Sequence, residues 1–310
     1  LAIGLASRSR KLERALLALL GLGSSLAGCG PHVPRFDGDR AYDLIERQTA
    51  LGPRNPGSRG HEEAREMLVE ELRGLADIVQ EQTFLYEDTD AKTEFELTNI
   101  IASFSPENRH RIMLGAHWDT RPRADCDPDT LVREEPILGA NDGGSGVAVL
   151  LEVARLLHER PPAVGVDIIL FDGEDYGREG DIERYLLGST HFAATMGAYR
   201  PLFGVIVDMV GDRDLDIYVE RYSATVAGSI VDLVWDTAER LGLGAFHREI
   251  GYAVWDDHVP LLKAGVPCIV LIDFDYEFWH TLEDTPDKCS HESLAAVGQL
   301  LLELVYRQGT

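Results

Sequence analysis

The sequence contains no C-x-x-C pair: Cys29, Cys126, Cys268 and Cys289 are its only cysteines, widely spaced over 310 residues. That excludes a zinc ribbon and a thioredoxin-like redox motif, so a metal would have to use other ligands. Basic charge is also scarce. Lys and Arg number 29 against 53 Asp and Glu, a formal net charge of −24. Such a surface repels nucleic-acid phosphates, and nucleic acid is not an expected partner. No apolar run approaches the roughly 20 residues that span a bilayer. The glycine-rich turn 139–146 lacks the Gly-Lys-Ser/Thr ending of a phosphate loop. Val147 stands where a Gly-x-Ser-x-Gly elbow needs glycine, so Ser145 reads as structural. Apolar residues make up 45% of the chain, which suits a globular core.

The first thirty residues differ from the rest. Arg8, Arg10, Lys11 and Arg14 precede an apolar run at 15–22 and then small residues, the order of a secretory signal. Leu26-Ala27-Gly28-Cys29 resembles the lipobox of bacterial lipoproteins, where cleavage before the cysteine leaves its thiol to be acylated. The expectation is a signal peptide at 1–28, a linker at 29–41 and one domain at 42–310. The protein would then be exported and held to a lipid bilayer through acylated Cys29. An ordinary signal peptide with a chance cysteine is the alternative.

Residues 42–75 read as helical with a Gly/Pro break at 51–57. Apolar runs suited to buried strands follow at 98–104, 111–116, 166–171, 202–207 and 267–272. Helical stretches at 146–157, 230–241 and 294–306 alternate with them. This alternation implies an α/β fold, a single domain with a central mixed, mostly parallel sheet flanked by helices. Polar residues of interest sit just past the strand ends: His117 and Asp119, then Glu174 and Asp175, then Asp208. Ligands of open α/β sheets bind at that edge.

Three segments could carry chemistry there. In Ala116-His117-Trp118-Asp119 an imidazole and a carboxylate stand two residues apart, so Asp119 could orient His117 from behind. Asp142, in the glycine-rich turn, could approach a cation closely. Asp172-Gly173-Glu174-Asp175 offers adjacent carboxylates, one to bind a metal and one to move protons. Further on, Asp256-Asp257-His258 and Trp279-His280-Thr281 add candidates.

Taken in order, His-x-Asp, Gly-Ala-x-Asp, Asp-Gly-Glu-Asp, an Asp ending a later strand, Asp-Asp-His and Trp-His-Thr resemble the zinc aminopeptidase superfamily, metallopeptidase family 28. The resemblance covers about residues 42–306. Within it the chain is similar to the animal-type glutaminyl cyclases, which bacteria also possess. The resemblance implies cyclisation of N-terminal glutamine of peptides or proteins to pyroglutamate, with release of ammonia. It implies one Zn2+ held by Asp142, Asp175 and His280, with an open fourth position. Glu174 would be the general base and acid, Asp208 and Asp256 a hydrogen-bonded acidic pair, and Trp279 a wall that places the γ-amide. The usual ligand after the Glu is another Glu; here it is Asp175, a shorter arm.

A di-zinc aminopeptidase is the alternative, because His117 and Asp208 match the ligands of a second zinc site with Asp142 as bridge. Asp256 in place of the aminopeptidases' usual Ser, and Trp279 before the last metal histidine, lean toward the cyclase. A non-catalytic lipoprotein that keeps the fold as a binding module is the remaining alternative. Such a relative should have lost a member of the Asp142, Glu174, Asp175, His280 set, and none is lost.

Overall fold

The apolar runs become the centre of a six-stranded sheet whose strands lie side by side in the order 78–88, 93–104, 165–171, 111–117, 203–208 and 268–272. The structure is a computed structural model that describes residues 32–89, 92–178 and 180–308. Cys29 and the signal segment 1–28 lie outside the described residues. Strands β3 (Arg111–His117), β4 (Gly165–Phe171), β5 (Phe203–Asp208) and β8 (Cys268–Ile272) are mutually parallel. Strand β2 (Thr93–Phe104) runs antiparallel to β4, and β1 (Ile78–Asp88) antiparallel to β2. The mixed, mostly parallel sheet is therefore present.

Alternate side chains of a strand point to opposite faces, and here both faces are covered. Ile112, Leu114, Val166, Ile168, Val205, Val207, Ile269 and Leu271 enter one core. Met113, Ile169, Phe171, Ile206, Val270 and Ile272 enter the other. The first core receives α1 (Gly38–Thr49), α2 (Arg59–Arg73), α3 (Gly144–Glu159), α6 (Gly228–Leu241) and α8 (His291–Tyr306). The second receives α4 (Leu187–Thr195) and α7 (His258–Lys263) through Phe192 and Leu261. A short helix α5 (Arg221–Val226) and a parallel two-stranded pair, β6 (Ile217–Val219) and β7 (Phe246–Ile250), lie between β5 and β8 in the chain.

Local signals set several helix starts. The side chains of Asp37, Ser58 and Ser290 accept backbone N–H groups of Arg40, His61 and Ser293, capping α1, α2 and α8. Helix α1 thus begins at Gly38, before the expected domain start at Tyr42, and Phe36 is already buried. Strand β1 was not expected. Its alternating positions stay half-exposed at the sheet edge, so Gln80, Glu81, Gln82 and Glu87 interrupt the apolar pattern. No helix among the described residues is long and apolar enough to cross a membrane.

Candidate active site

Parallel strands deliver their C-terminal residues to one edge of the sheet, and four separate chain segments meet there. His117 ends β3, Glu174 and Asp175 lie in the loop after β4, Asp208 ends β5, and His280 lies in the loop after β8. Asp142 comes from the turn that opens α3. They meet at a cavity of about 390 Å³ whose wall includes Asp142, Glu174, Asp175, Asp208, Asp256 and Trp279. That volume is in the range of small-ligand sites.

Two overlapping groups of donor atoms occupy this edge. Asp142, Asp175 and His280 each bring one ligand atom within 4.8 Å of the others, and so do His117, Asp142 and Asp208. Asp142 belongs to both. Its Oδ1 lies 3.2 Å from His117 Nε2 and its Oδ2 3.6 Å from His280 Nε2. His117 Nε2 is also 3.0 Å from Asp208 Oδ1. His280 Nε2 lies 3.3 Å from Asp175 Oδ2.

The shells behind these groups explain their placement. Asp284 accepts the N–H groups of Asn141 at 2.9 Å and Asp142 at 3.1 Å, and the Tyr276 hydroxyl at 2.9 Å. Gly143 follows Asp142 under His117: a Cβ there would stand 2.6 Å from His117 Nε2 and 2.5 Å from its carbonyl oxygen. Only glycine allows that approach. His280 (φ 54°) and Met209 (φ 47°) are held in the left-handed region, a strain of roughly 1–3 kcal/mol each that surrounding packing must impose.

Asp119 stands behind His117 and also holds the acidic loop. Its carboxylate accepts the backbone N–H of Glu174 at 3.0 Å and of Asp175 at 3.3 Å, so it clamps the acidic loop. Its contact with His117 Nδ1 is 3.6 Å, too long for a hydrogen bond, and that nitrogen has no other partner. The loop itself is braced from below by Asp172, which contacts His61 Nε2 at 2.8 Å and accepts the Thr98 N–H at 2.6 Å.

Arg121, buried and absent from the sequence reading, organises Asp175. Its guanidinium donates to Asp175 Oδ1 at 2.7 Å, to both oxygens of Asp125 and to the Tyr185 hydroxyl. Asp175 Oδ2 is left buried with no hydrogen-bond partner, facing His280. Burial alone would raise this carboxyl, but His280 and Arg121 hold it well below the usual carboxylate range. An ionised, half-unpartnered carboxylate beside an imidazole and a second carboxylate fits a divalent ion, and the O, O, N donor set suits zinc. The short Asp175 arm still reaches. Arg54 is likewise buried, its guanidinium donating to the carbonyls of Trp118, Leu138 and Gly139. It places a positive charge below Asp284, Asp119 and Asp142.

Glu174 differs from its neighbour. Burial, then the charge of Asp175, push its carboxyl well above the usual range, and it belongs to neither donor group. Asp208 is raised to about 7 by burial, against the pull of His117, with Asp142 and Asp256 adding repulsion. Asp256 is buried and lies 4.0 Å from His258 Nδ1, while His258 Nε2 contacts Glu220 at 3.0 Å. The Trp279 indole stacks on the His280 ring at 3.9 Å between centroids and packs against Phe274 at 5.3 Å. A flat apolar wall therefore stands beside the donor set.

Comparison with known proteins agrees with this arrangement. The chain is 26% identical over 284 residues to glutaminyl-peptide cyclotransferase of Bos taurus, covering 80% of this chain and 76% of that protein. The solved glutaminyl cyclase of Porphyromonas gingivalis is 40% identical with a TM-score of 0.82, covering 86% of this chain and 97% of that one. A solved leucine aminopeptidase precursor of Bacteroides thetaiotaomicron is 37% identical with a TM-score of 0.87, covering 90% and 100%. Residues 99–305 match the model of peptidase family M28. With the strand-end donors in place and most of its length matched, the chain belongs to peptidase family M28.

Proposed function

We propose that this protein is a glutaminyl-peptide cyclotransferase that converts the N-terminal glutamine of peptides or proteins to pyroglutamate and releases ammonia, using one zinc ion held by Asp142, Asp175 and His280. The observation that carries this reading is the cavity in which that donor set, the Glu174 carboxyl and the Trp279 wall face one another. Similarity to the bovine and Porphyromonas gingivalis cyclases supports it.

Cyclisation joins the substrate's α-amine to its own γ-carbonyl, so no external nucleophile is needed, and holding the two together contributes as proximity. Zinc, when bound, supplies Lewis-acid polarisation of the γ-carbonyl. The carboxylates of the cavity wall draw the N-terminal ammonium inward, and loss of one proton to solvent makes it the nucleophilic amine. Glu174 accepts a proton from that nitrogen as it forms the new C–N bond. It returns the proton to the departing nitrogen as the old C–N bond breaks, and the products are the lactam and ammonia. Trp279, fixed by His280 and Phe274, limits where the γ-amide can lie. Asp208 and Asp256, on the same wall, would steady the substrate amine.

A second reading has one observation in its favour. His117, Asp142 and Asp208 form another buried donor group, as a di-zinc aminopeptidase would need, and the leucine aminopeptidase precursor shares the fold closely. Incubation with a Gln-initiated peptide followed by mass spectrometry separates the two. Loss of ammonia is expected; loss of the first residue, with two zinc ions per chain, would establish the peptidase. A purely binding role is disfavoured by the complete donor and acid–base set.

We further propose that the protein is exported and anchored through acylated Cys29, on the strength of the signal-like segment and lipobox alone. Cys29→Ala is expected to release soluble protein or leave an uncleaved precursor. Unchanged fractionation with membranes counts against the anchor.

A further inference from the structure

His280 presents its two ring nitrogens to different surroundings. Nε2 faces Asp175 and Asp142, at 3.3 and 3.6 Å. Nδ1 faces away from them, 3.6 Å from Asp125 Oδ1. Beside it runs Cys126, whose backbone N–H donates to the His280 carbonyl oxygen at 3.2 Å. One ligand atom each from Asp125, Cys126 and His280 lies within 4.8 Å of the others.

We propose that Asp125, Cys126 and His280 form an outer metal site for thiophilic divalent ions such as Zn2+ and Cd2+, and that filling it inhibits the enzyme. An ion there replaces the Nδ1 proton of the imidazole whose Nε2 completes the inner set, putting a second positive charge on the same ring, and it sits on the wall of the same cavity. Asp125, Cys126 and His280 all border that cavity.

Three features support a built site. Arg121 grips both oxygens of Asp125, at 2.7 and 2.5 Å, so the carboxylate is already oriented, and each oxygen keeps a lone pair for a metal. The Cys126 thiol is exposed, so an ion arrives from solvent, whereas Cys268 and Cys289 are buried. A thiolate with imidazole and carboxylate selects zinc or cadmium over magnesium or calcium. Asp125 alone would be explained as the acceptor for the Nδ1–H of a metal-bound histidine. The thiol is what that role does not require. Arg121 donates two N–H groups to Asp125 and one to Asp175, so its charge weakens the outer carboxylate more than the inner one and the inner site fills first.

The inhibitory part rests on the cyclase reading, and the test separates the two. The full chain, loaded with one equivalent of zinc, is titrated with cadmium chloride while the ultraviolet thiolate-to-cadmium absorption is followed. One saturating equivalent is expected, absent in Cys126→Ser and absent when calcium chloride replaces cadmium. In parallel, zinc beyond the first equivalent should slow turnover of the wild type, and Cys126→Ser, which loses a ligand, should need more than the roughly 10–100-fold extra zinc that loss of a supporting group would cost. A cadmium band that survives Cys126→Ser, no band in the wild type, or equal zinc inhibition of the two proteins overturns the proposal. The absorption reports the site even if the chain cyclises nothing, so failure of the proposed activity would be seen separately.

Discussion

Glu174→Gln should lower turnover by roughly 10²–10⁴-fold, the usual worth of a positioned acid–base group, while zinc content stays at the wild-type level. The substitution keeps the size of the side chain and removes its ability to carry a proton. The loop should hold its shape, because Asp119 grips it through the backbone N–H groups of Glu174 and Asp175 rather than through the Glu174 side chain. Glu174 also lies outside both donor groups, so the metal set is untouched. Turnover on a Gln-initiated peptide and zinc by elemental analysis are the two measurements. A variant that cyclises at the wild-type rate, or one that has shed its metal, removes Glu174 from the proposed role.

Asp175→Asn should do the reverse and strip the metal. The amide has the shape of the carboxylate but no charge, and the oxygen it would replace is the buried, unpartnered Oδ2 facing His280. Arg121 would then donate to a neutral group, or meet an amide N–H in a site where it is buried. Zinc affinity is expected to fall by more than the roughly 10–100-fold typical of changing a group that merely supports a ligand. Activity should follow zinc content and return in part at high zinc. Dialysis against a chelator should reproduce the loss in the wild type, with recovery on adding zinc back. Full zinc occupancy in purified Asp175→Asn would show that the ion is held elsewhere. The adjacent residues 174 and 175 would thus divide into a kinetic and a metal-binding phenotype.

Much of this edge was legible in the chain because local patterns carry it. Short apolar runs such as 166–171, broken only by Asp167, and 267–272 read as strands covered on both faces, and a polar residue just past such a run emerges at the edge where ligands bind. His117, Asp175 and Asp208 are recognisable on that ground, and Asp142 from its glycine-rich turn. Strand β1 was not, because an edge strand with half-exposed faces needs no apolar period.

What only the tertiary structure decided is which charges meet. Arg121 pairs with Asp175 across 54 positions, His61 with Asp172 across 111, and Asp284 reaches the turn at Asn141 and Asp142 from 143 and 142 positions away. Read singly, each is one polar residue in an acidic chain. The sequence determined that carboxylates and imidazoles would stand at the strand ends, since that follows from periodicity along one strand. Packing decided that Asp142 faces both His117 and His280, that Asp119 clamps the acidic loop from its place beside His117, and that one oxygen of Asp175 is held by Arg121 while the other is left open. Such contacts depend on loops closing over long separations, and no local pattern encodes the partner that burial makes obligatory.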